Sequence, residues 1–243
     1  MTDRSLEGKI IVVTGASRGI GYQVALEAGR RGAHVFAIAR TVGGLEDLDD
    51  AIKKVGGAAT LVPHDLQDGD GIDRIGRAIF DRFGRLDGLV GNAGFLATLS
   101  PLPHLDVKEF DRSLALNVSA NFRLIRSFDL LLRQSDAGRA VFVTSSSAHS
   151  AKPFWGPYAA TKAALEAMVK SYAAEIATTR VRANLFQPGP VRTAMRNKAM
   201  PGEDPSTLTT PAEVAPFVVD MLEPNFTANR SVFEYPSREL RPA

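Results

Sequence analysis

Lys9-Ile-Ile-Val-Val-Thr14-Gly15-Ala16-Ser17-Arg18-Gly19-Ile20-Gly21 is the stretch from which the rest of the chain can be read. Ile10 to Val13 are apolar and β-branched without polar alternation, the pattern of a parallel strand buried on both faces. A three-glycine loop comes next, and an Ala- and Leu-rich helical pattern then runs to Arg31. In that context glycines serve a tight turn, a close backbone approach to a pyrophosphate, and close packing of helix on strand. The anion rests on free N–H groups at the start of the helix. The spacing is G-x-x-x-G-x-G, not the commoner G-x-G-x-x-G.

Outward from this loop, His34 to Ala39 reads as a second strand and completes a βαβ unit. It ends Ala39-Arg40-Thr41, with no carboxylate before Glu46. An acidic residue at this place suits the ribose 2′-hydroxyl of NAD, whereas arginine accommodates a 2′-phosphate. Arg18 is a second cation placed for the same phosphate, and two guanidiniums favour a dianion through charge-assisted bonds. NADP(H) is therefore expected over NAD(H).

Thr41 to Val55 reads as a helix closed by Gly56-Gly57, and Ala58 to Val62 as a third strand. Asp65, just past its end, suits either an adenine amino group or the N-cap of the next helix. That helix is expected over Gly71 to Phe83. Leu86 to Val90 reads as a fourth strand running into Gly91-Asn92-Ala93-Gly94, small residues that let a cofactor lie against the backbone. A helical region starts near Asp106. Asn117, in an apolar part of it, needs partners, and a structural hydrogen-bond bridge is its simplest use.

Ala140 to Thr144 is the fifth strand and ends in Ser145-Ser146-Ser147. Pro157 to Ala177 reads as a helix, which places Tyr158 and Lys162 one turn apart on one face. An ammonium beside a phenol stabilises phenolate, so the tyrosine pKa is expected to fall from about 10 toward neutrality. Such a phenol can exchange a proton with a substrate oxygen. Val181 to Phe186 is the sixth strand, followed by Gln187-Pro188-Gly189-Pro190-Val191-Arg192-Thr193. Ala194 to Leu208 is polar and reads as a mobile lid. Pro211 to Leu222 reads as a helix that Pro216 should kink or shift. Ser231 to Tyr235 is a short last strand.

The composition sets limits. The 243 residues suit one α/β domain, 1–243, with 44% hydrophobic and 23% charged residues. Net charge is +2 with no long basic run, so no nucleic-acid partner is expected. There is no cysteine, hence no disulfide, thiol nucleophile or cysteine metal site, and no metal site is expected at all. Met1 to Lys9 is charged and lacks an apolar signal core, and no apolar run is long enough to span a membrane. A cytoplasmic enzyme without a membrane partner is the expectation.

Taken in order, Thr14-Gly15-x-x-x-Gly19-Ile20-Gly21, Asp65, Asn92-Ala93-Gly94, Asn117, Ser145, Tyr158-x-x-x-Lys162 and Pro188-Gly189 with Thr193 resemble the short-chain dehydrogenase/reductase family, from about Lys9 to Leu222. The resemblance implies one Rossmann-type domain, a doubly wound seven-stranded parallel sheet with helices on both faces. It implies Tyr158 as general acid in carbonyl reduction. Lys162 would hold the nicotinamide ribose and lower the tyrosine pKa, and Ser145 would orient the substrate oxygen, with Ser147 a weaker candidate. Asn117 would hold a helix irregularity and a proton-passing water. The implied cofactor contacts are Gly15, Ser17, Arg18, Gly19, Ile20 and Gly21 in the first loop, and Arg40, Asp65 and Leu66 at the adenosine end. Asn92, Ala93, Gly94, Tyr158, Lys162, Pro188, Gly189, Val191 and Thr193 complete the set.

The expected activity is NADP(H)-dependent interconversion of a small carbonyl compound and its alcohol; the alternative is a non-catalytic NADP(H)-binding regulator. Phe95, Leu96, Phe154, Trp155, Met195 and Met200 are candidate pocket walls. The family's glycine-rich tail is replaced by Ala228-Asn229-Arg230-Ser231-Val232-Phe233-Glu234-Tyr235-Pro236. A homodimer or homotetramer is expected, with the usual dimer surface on the helices of Asp106 to Arg133 and Tyr158 to Ala177. Their apolar residues suit plain core equally well.

Overall fold

A computed structural model describes residues 4–243, so Met1 to Asp3 of the charged N-terminal segment lie outside it. Strands and helices alternate: β1 (Ile10–Thr14), α1 (Gly19–Arg30), β2 (His34–Ala39), α2 (Val42–Lys54), β3 (Ala58–Pro63), α3 (Gly69–Phe83) and β4 (Gly88–Gly91). Then come α4 (Val107–Leu114), a π-helical turn (Ala115–Ser119), α5 (Ala120–Arg133), β5 (Arg139–Val143), the short α6 (Ser147–Ser150) and α7 (Gly156–Glu175). The chain finishes with β6 (Arg182–Gln187), α8 (Ala194–Ala199), α9 (Pro211–Asp220), β7 (Ser231–Glu234) and β8 (Glu239–Pro242).

All eight strands form one sheet in the order β3-β2-β1-β4-β5-β6-β7-β8. The first seven in that row run parallel, and β8 alone is antiparallel, paired to β7 from Ser231↔Pro242 to Glu234↔Glu239. The seven parallel strands match the expectation, and the eighth is an addition to it. Its sequence, Glu-Leu-Arg-Pro, is exposed throughout and carries no apolar alternation, so no burial pattern announces it. The reversal is made by Tyr235 to Arg238, where Arg238 takes a left-handed φ of 59° and lays its guanidinium 3.6 Å from the centre of the Tyr235 ring.

Strand side chains alternate between two cores. Ile10, Val12, Phe36 and Ile38 point to the side covered by α3, α5 and α7, with Ile79, Phe128 and Leu165. Ile11, Val13, Val35 and Ala37 point to the side covered by α1, α2 and α9, with Val24, Leu48 and Val218. Burial on both faces is why these strands read as continuous apolar runs. The crossover from β3 to β4 reverses the direction in which strands are added and sets β4 beside β1. This opens a crevice at the carboxyl ends of these two strands, the place where open α/β sheets bind ligands.

Local caps set the order of two stretches in the C-terminal half. Ala194 to Leu208 holds a helix, α8, capped by the Thr193 hydroxyl on Arg196 N–H, and the bidentate Arg196–Glu203 ion pair ties that helix to the residues beyond its end. The order there comes from an ion pair and a cap. Pro216 sits inside α9 without shifting its start, which Thr210 and Glu213 fix through a reciprocal capping box.

Candidate active site

The glycine loop is built as its sequence requires. Gly15 and Gly19 have left-handed φ values of 68° and 61°. A Cβ on Gly21 would lie 2.4 Å from both Asn92 Nδ2 and the Gly15 carbonyl oxygen. No side chain caps α1, so its first N–H groups face the crevice without a side-chain acceptor. Gly15 N–H donates to the Ile38 carbonyl, which draws the loop to the end of β2 and to the exposed Arg40. Across the crevice, Asn92 Nδ2 donates to the Thr14 carbonyl, and the Thr14 hydroxyl accepts from Asn92 and Ala93 N–H. Thr193 Cγ2 lies 3.5 Å from where a Gly19 Cβ would be. The adenosine end is resolved in one respect. Asp68, not Asp65, caps α3, and Asp65 stands 3.8 Å from Arg40 with its carboxylate turned to Gln67. Leu66 and Val191 are buried.

The second cluster is assembled by β5 and α7. Ser145 follows Thr144 at the end of β5, its hydroxyl 3.2 Å from Ser147 Oγ and beside the Tyr158 phenol. Lys162 is buried and donates to the Val143 carbonyl at 2.7 Å, with its ammonium 5.7 Å from the centre of the Tyr158 ring. Trp155 meets Tyr158 edge to face at 5.9 Å. Gly94 joins the two clusters, because a Cβ there would lie 3.3 Å from Asn117 Oδ1 and 3.9 Å from Lys162 Nζ.

The electrostatics depart from expectation. Burial pushes the Tyr158 phenol up to about 12, offset only by the Ser145 hydroxyl, and pulls Lys162 down to about 8. The lysine does not depress the tyrosine here because its ammonium is turned to the Val143 carbonyl, and desolvation of the phenolate outweighs attraction across the ring. At neutral pH the site therefore holds a protonated phenol.

Asn117 sits at the centre of the π turn. Both side-chain N–H groups are spent, on the Phe95 carbonyl and the Thr161 hydroxyl, and its oxygen accepts from Phe95 N–H. The side chain is thus a bridge between the loop after β4 and α7, and its backbone carbonyl accepts from Asn121. Of the expected pocket walls, Leu96 is buried, while Phe154, Met195 and Met200 are exposed. Phe95 packs under the Arg112 guanidinium at 4.4 Å.

Residues 9–204 match the family model described as short chain dehydrogenase. The chain belongs to the short-chain dehydrogenases. Among its relatives, the oxidoreductase YciK of Escherichia coli is 36% identical over 214 residues, 87% of this chain and 84% of that protein. A short chain dehydrogenase from Shigella flexneri, solved in complex with NADP, superposes with a TM-score of 0.90 at 33% identity, covering 97% of this chain and all of that one. One from Escherichia coli, complexed with NADPH, gives 0.90 at 34% identity, over 97% of this chain and 99% of that one.

Within this short-chain dehydrogenase, sequence reasoning named Thr14 only as part of the glycine motif and missed Thr161 and Glu166, and all three shape the site. Thr14 ties the glycine loop to β4, Thr161 holds Asn117, and Glu166 reaches Thr144 and His149. Glu166 follows Tyr158 and Lys162 at the same four-residue step, so extending that period by one turn would have found it.

Proposed function

We propose that this chain is an NADP(H)-dependent oxidoreductase that interconverts a small carbonyl compound and its alcohol, within one catalytic domain. One observation carries the reading: Ser145, Tyr158 and Lys162 converge at the end of β5 beside Gly94, at the crevice that the open glycine loop also faces. The residues fit the cofactor. The uncapped start of α1 and the left-handed turn at Gly15 and Gly19 suit the pyrophosphate, and Arg18 and Arg40 suit a 2′-phosphate. NADPH and NADP accompany relatives of nearly the same fold.

When bound, NADPH supplies the hydride. Tyr158 gives its proton to the carbonyl oxygen, which Ser145 orients by hydrogen bonding. Lys162 would hold the ribose hydroxyls and stabilise the phenolate left when Tyr158 gives up its proton, and Asn117 keeps the loop after β4 against α7. Phenol burial favours this direction at neutral pH, because the acid is already protonated. Val107, Phe110, Leu114, Phe122 and Leu130 expose an apolar face on α4 and α5, which we assign to a homodimer contact.

The test is a titration with NADPH and NADH, followed through Trp155, the only tryptophan, and the nicotinamide fluorescence. NADPH is expected to bind more tightly. Arg40→Ser should weaken NADPH about ten- to a hundredfold, the loss of a charge-assisted bond, and leave NADH unchanged. Equal binding of the two cofactors by the native chain would refute the 2′-phosphate assignment. Binding of neither would refute the enzyme reading.

A further inference from the structure

The helix that carries Tyr158 and Lys162 carries a third polar residue into the protein at the next turn. Glu166 has a side chain only 5% exposed. Its Oε1 accepts from the Thr144 hydroxyl at 2.8 Å, and its Oε2 lies 2.9 Å from His149 Nε2 and 3.6 Å from Lys170 Nζ. Thr144 immediately precedes Ser145, and His149 comes four residues after it in α6. One carboxylate thus holds the chain on both sides of the serine. The turn before it repeats the device, with Lys162 on the Val143 carbonyl.

We propose that Glu166 is a positioning residue for the reaction at Ser145, Tyr158 and Lys162: its buried carboxylate pins the Ser145 segment to α7 and sets a negative charge one helical turn from Lys162. The proposal rests on the function assigned above and adds a residue to it. A carboxylate buried at a cost of several kcal/mol needs charged and hydrogen-bonding partners. The charged and titratable groups facing this one are Lys162 and Lys170 on its own helix and His149 from α6; Thr144, next after β5, is neutral. Its negative charge opposes the loss of a proton from Lys162, against the burial that drives that loss. In a coupled pair the same holds whichever member releases the proton. His149 is largely exposed and meets Glu166 from outside α7, so a lysine ammonium in its place should cancel part of the effect.

The experiment reads the Lys162 proton directly, without a substrate. Chains carrying lysine labelled with carbon-13 at Cε are titrated by NMR, and the Lys162 signal is assigned by its loss in Lys162→Met. Glu166→Gln should lower the Lys162 midpoint by about half to one pH unit, the size of one charge–charge contact near a protein surface. Glu166→Asp should recover at least half of that shift. His149→Lys, a change at an exposed site that leaves Glu166 in place, should also lower the midpoint. With NADPH and benzaldehyde as probes, the high-pH limb of kcat/KM should move down by the same amount in Glu166→Gln. An unmoved NMR midpoint in both Glu166→Gln and His149→Lys overturns the proposal. So does a uniform fall in kcat with an unmoved limb, which is what loosening of the Ser145 segment alone would give. Activity retained by Tyr158→Phe would instead strike at the functional reading, and would leave the Lys162 titration standing.

Discussion

Tyr158→Phe is expected to reduce kcat for NADPH-dependent carbonyl reduction by ~10²- to 10⁴-fold, the usual contribution of a positioned general acid. In barrier height that is about 3–5 kcal/mol. The change removes one oxygen and keeps the ring that packs edge to face on Trp155, so folding and NADPH affinity should stay close to native. Steady-state kinetics with an aldehyde or ketone, alongside the NADPH titration, checks both halves. A variant that keeps activity within a few-fold would show that the proton comes from elsewhere. The pH dependence has a definite sign. Tyr158 is pushed up to about 12 and Lys162 pulled down to about 8, so the reductive rate should hold through neutrality and decline as pH rises through the lysine's range. Oxidation of the alcohol, which needs the deprotonated pair, should gain over the same interval.

Gly21→Ala is expected to be the most damaging single methyl in the cofactor crevice. Its Cβ would stand 2.4 Å from Asn92 Nδ2 and 2.4 Å from the Gly15 carbonyl oxygen, with the Gly15 carbonyl carbon at 2.9 Å. Asn92 could swing away only by giving up its bond to the Thr14 carbonyl, and the Gly15 backbone belongs to the loop itself. Overpacking of this kind costs about 1–3 kcal/mol, which for a chain of this size lowers the thermal midpoint by roughly 2–12 °C. NADPH binding should suffer more than stability, because relief of the clash requires the loop to move. Gly43→Ala is the matching control. No atom lies within 4 Å of its Cβ, it is helical, and removal of a helical glycine should leave the midpoint unchanged or slightly higher. Equal melting and equal NADPH affinity for Gly21→Ala and the native chain would contradict the crevice geometry described for this loop.

The parts of the molecule that could be read from residues alone share a physical trait. Strands buried on both faces, such as Ile10 to Val13 and Val35 to Ala39, write their environment into their composition. Glycines with left-handed φ write theirs into their identity, as at Gly15 and Gly19. The Tyr158 and Lys162 spacing was legible because a helix turns that period into proximity. What stayed hidden depends on partners distant in the chain. The π turn at Asn117, a helix irregularity that the family resemblance implied, is declared by no local pattern; it is held by Phe95 and Thr161, which lie 22 and 44 residues away. The capping role fell to Asp68 and not Asp65, a difference of three residues decided by where α3 begins. The state of the Tyr158 phenol could not be inferred from spacing, because it turns on burial and on where the lysine ammonium points.

The antiparallel strand β8 has a consequence for how this protein behaves among its own copies. A parallel sheet ending at β7 would present a row of unpaired N–H and carbonyl groups beside Val232 and Phe233, a template on which any extended segment can dock. β8 occupies that row. It turns outward a strand in which Glu239 and Arg241 carry charge and Pro242 lacks an N–H, three features that discourage further strand addition. The hairpin thus acts as a terminator of sheet growth, built from residues that contribute little to the core. Its removal would cost solubility before it cost the fold, by converting a finished edge into a nucleus for intermolecular pairing.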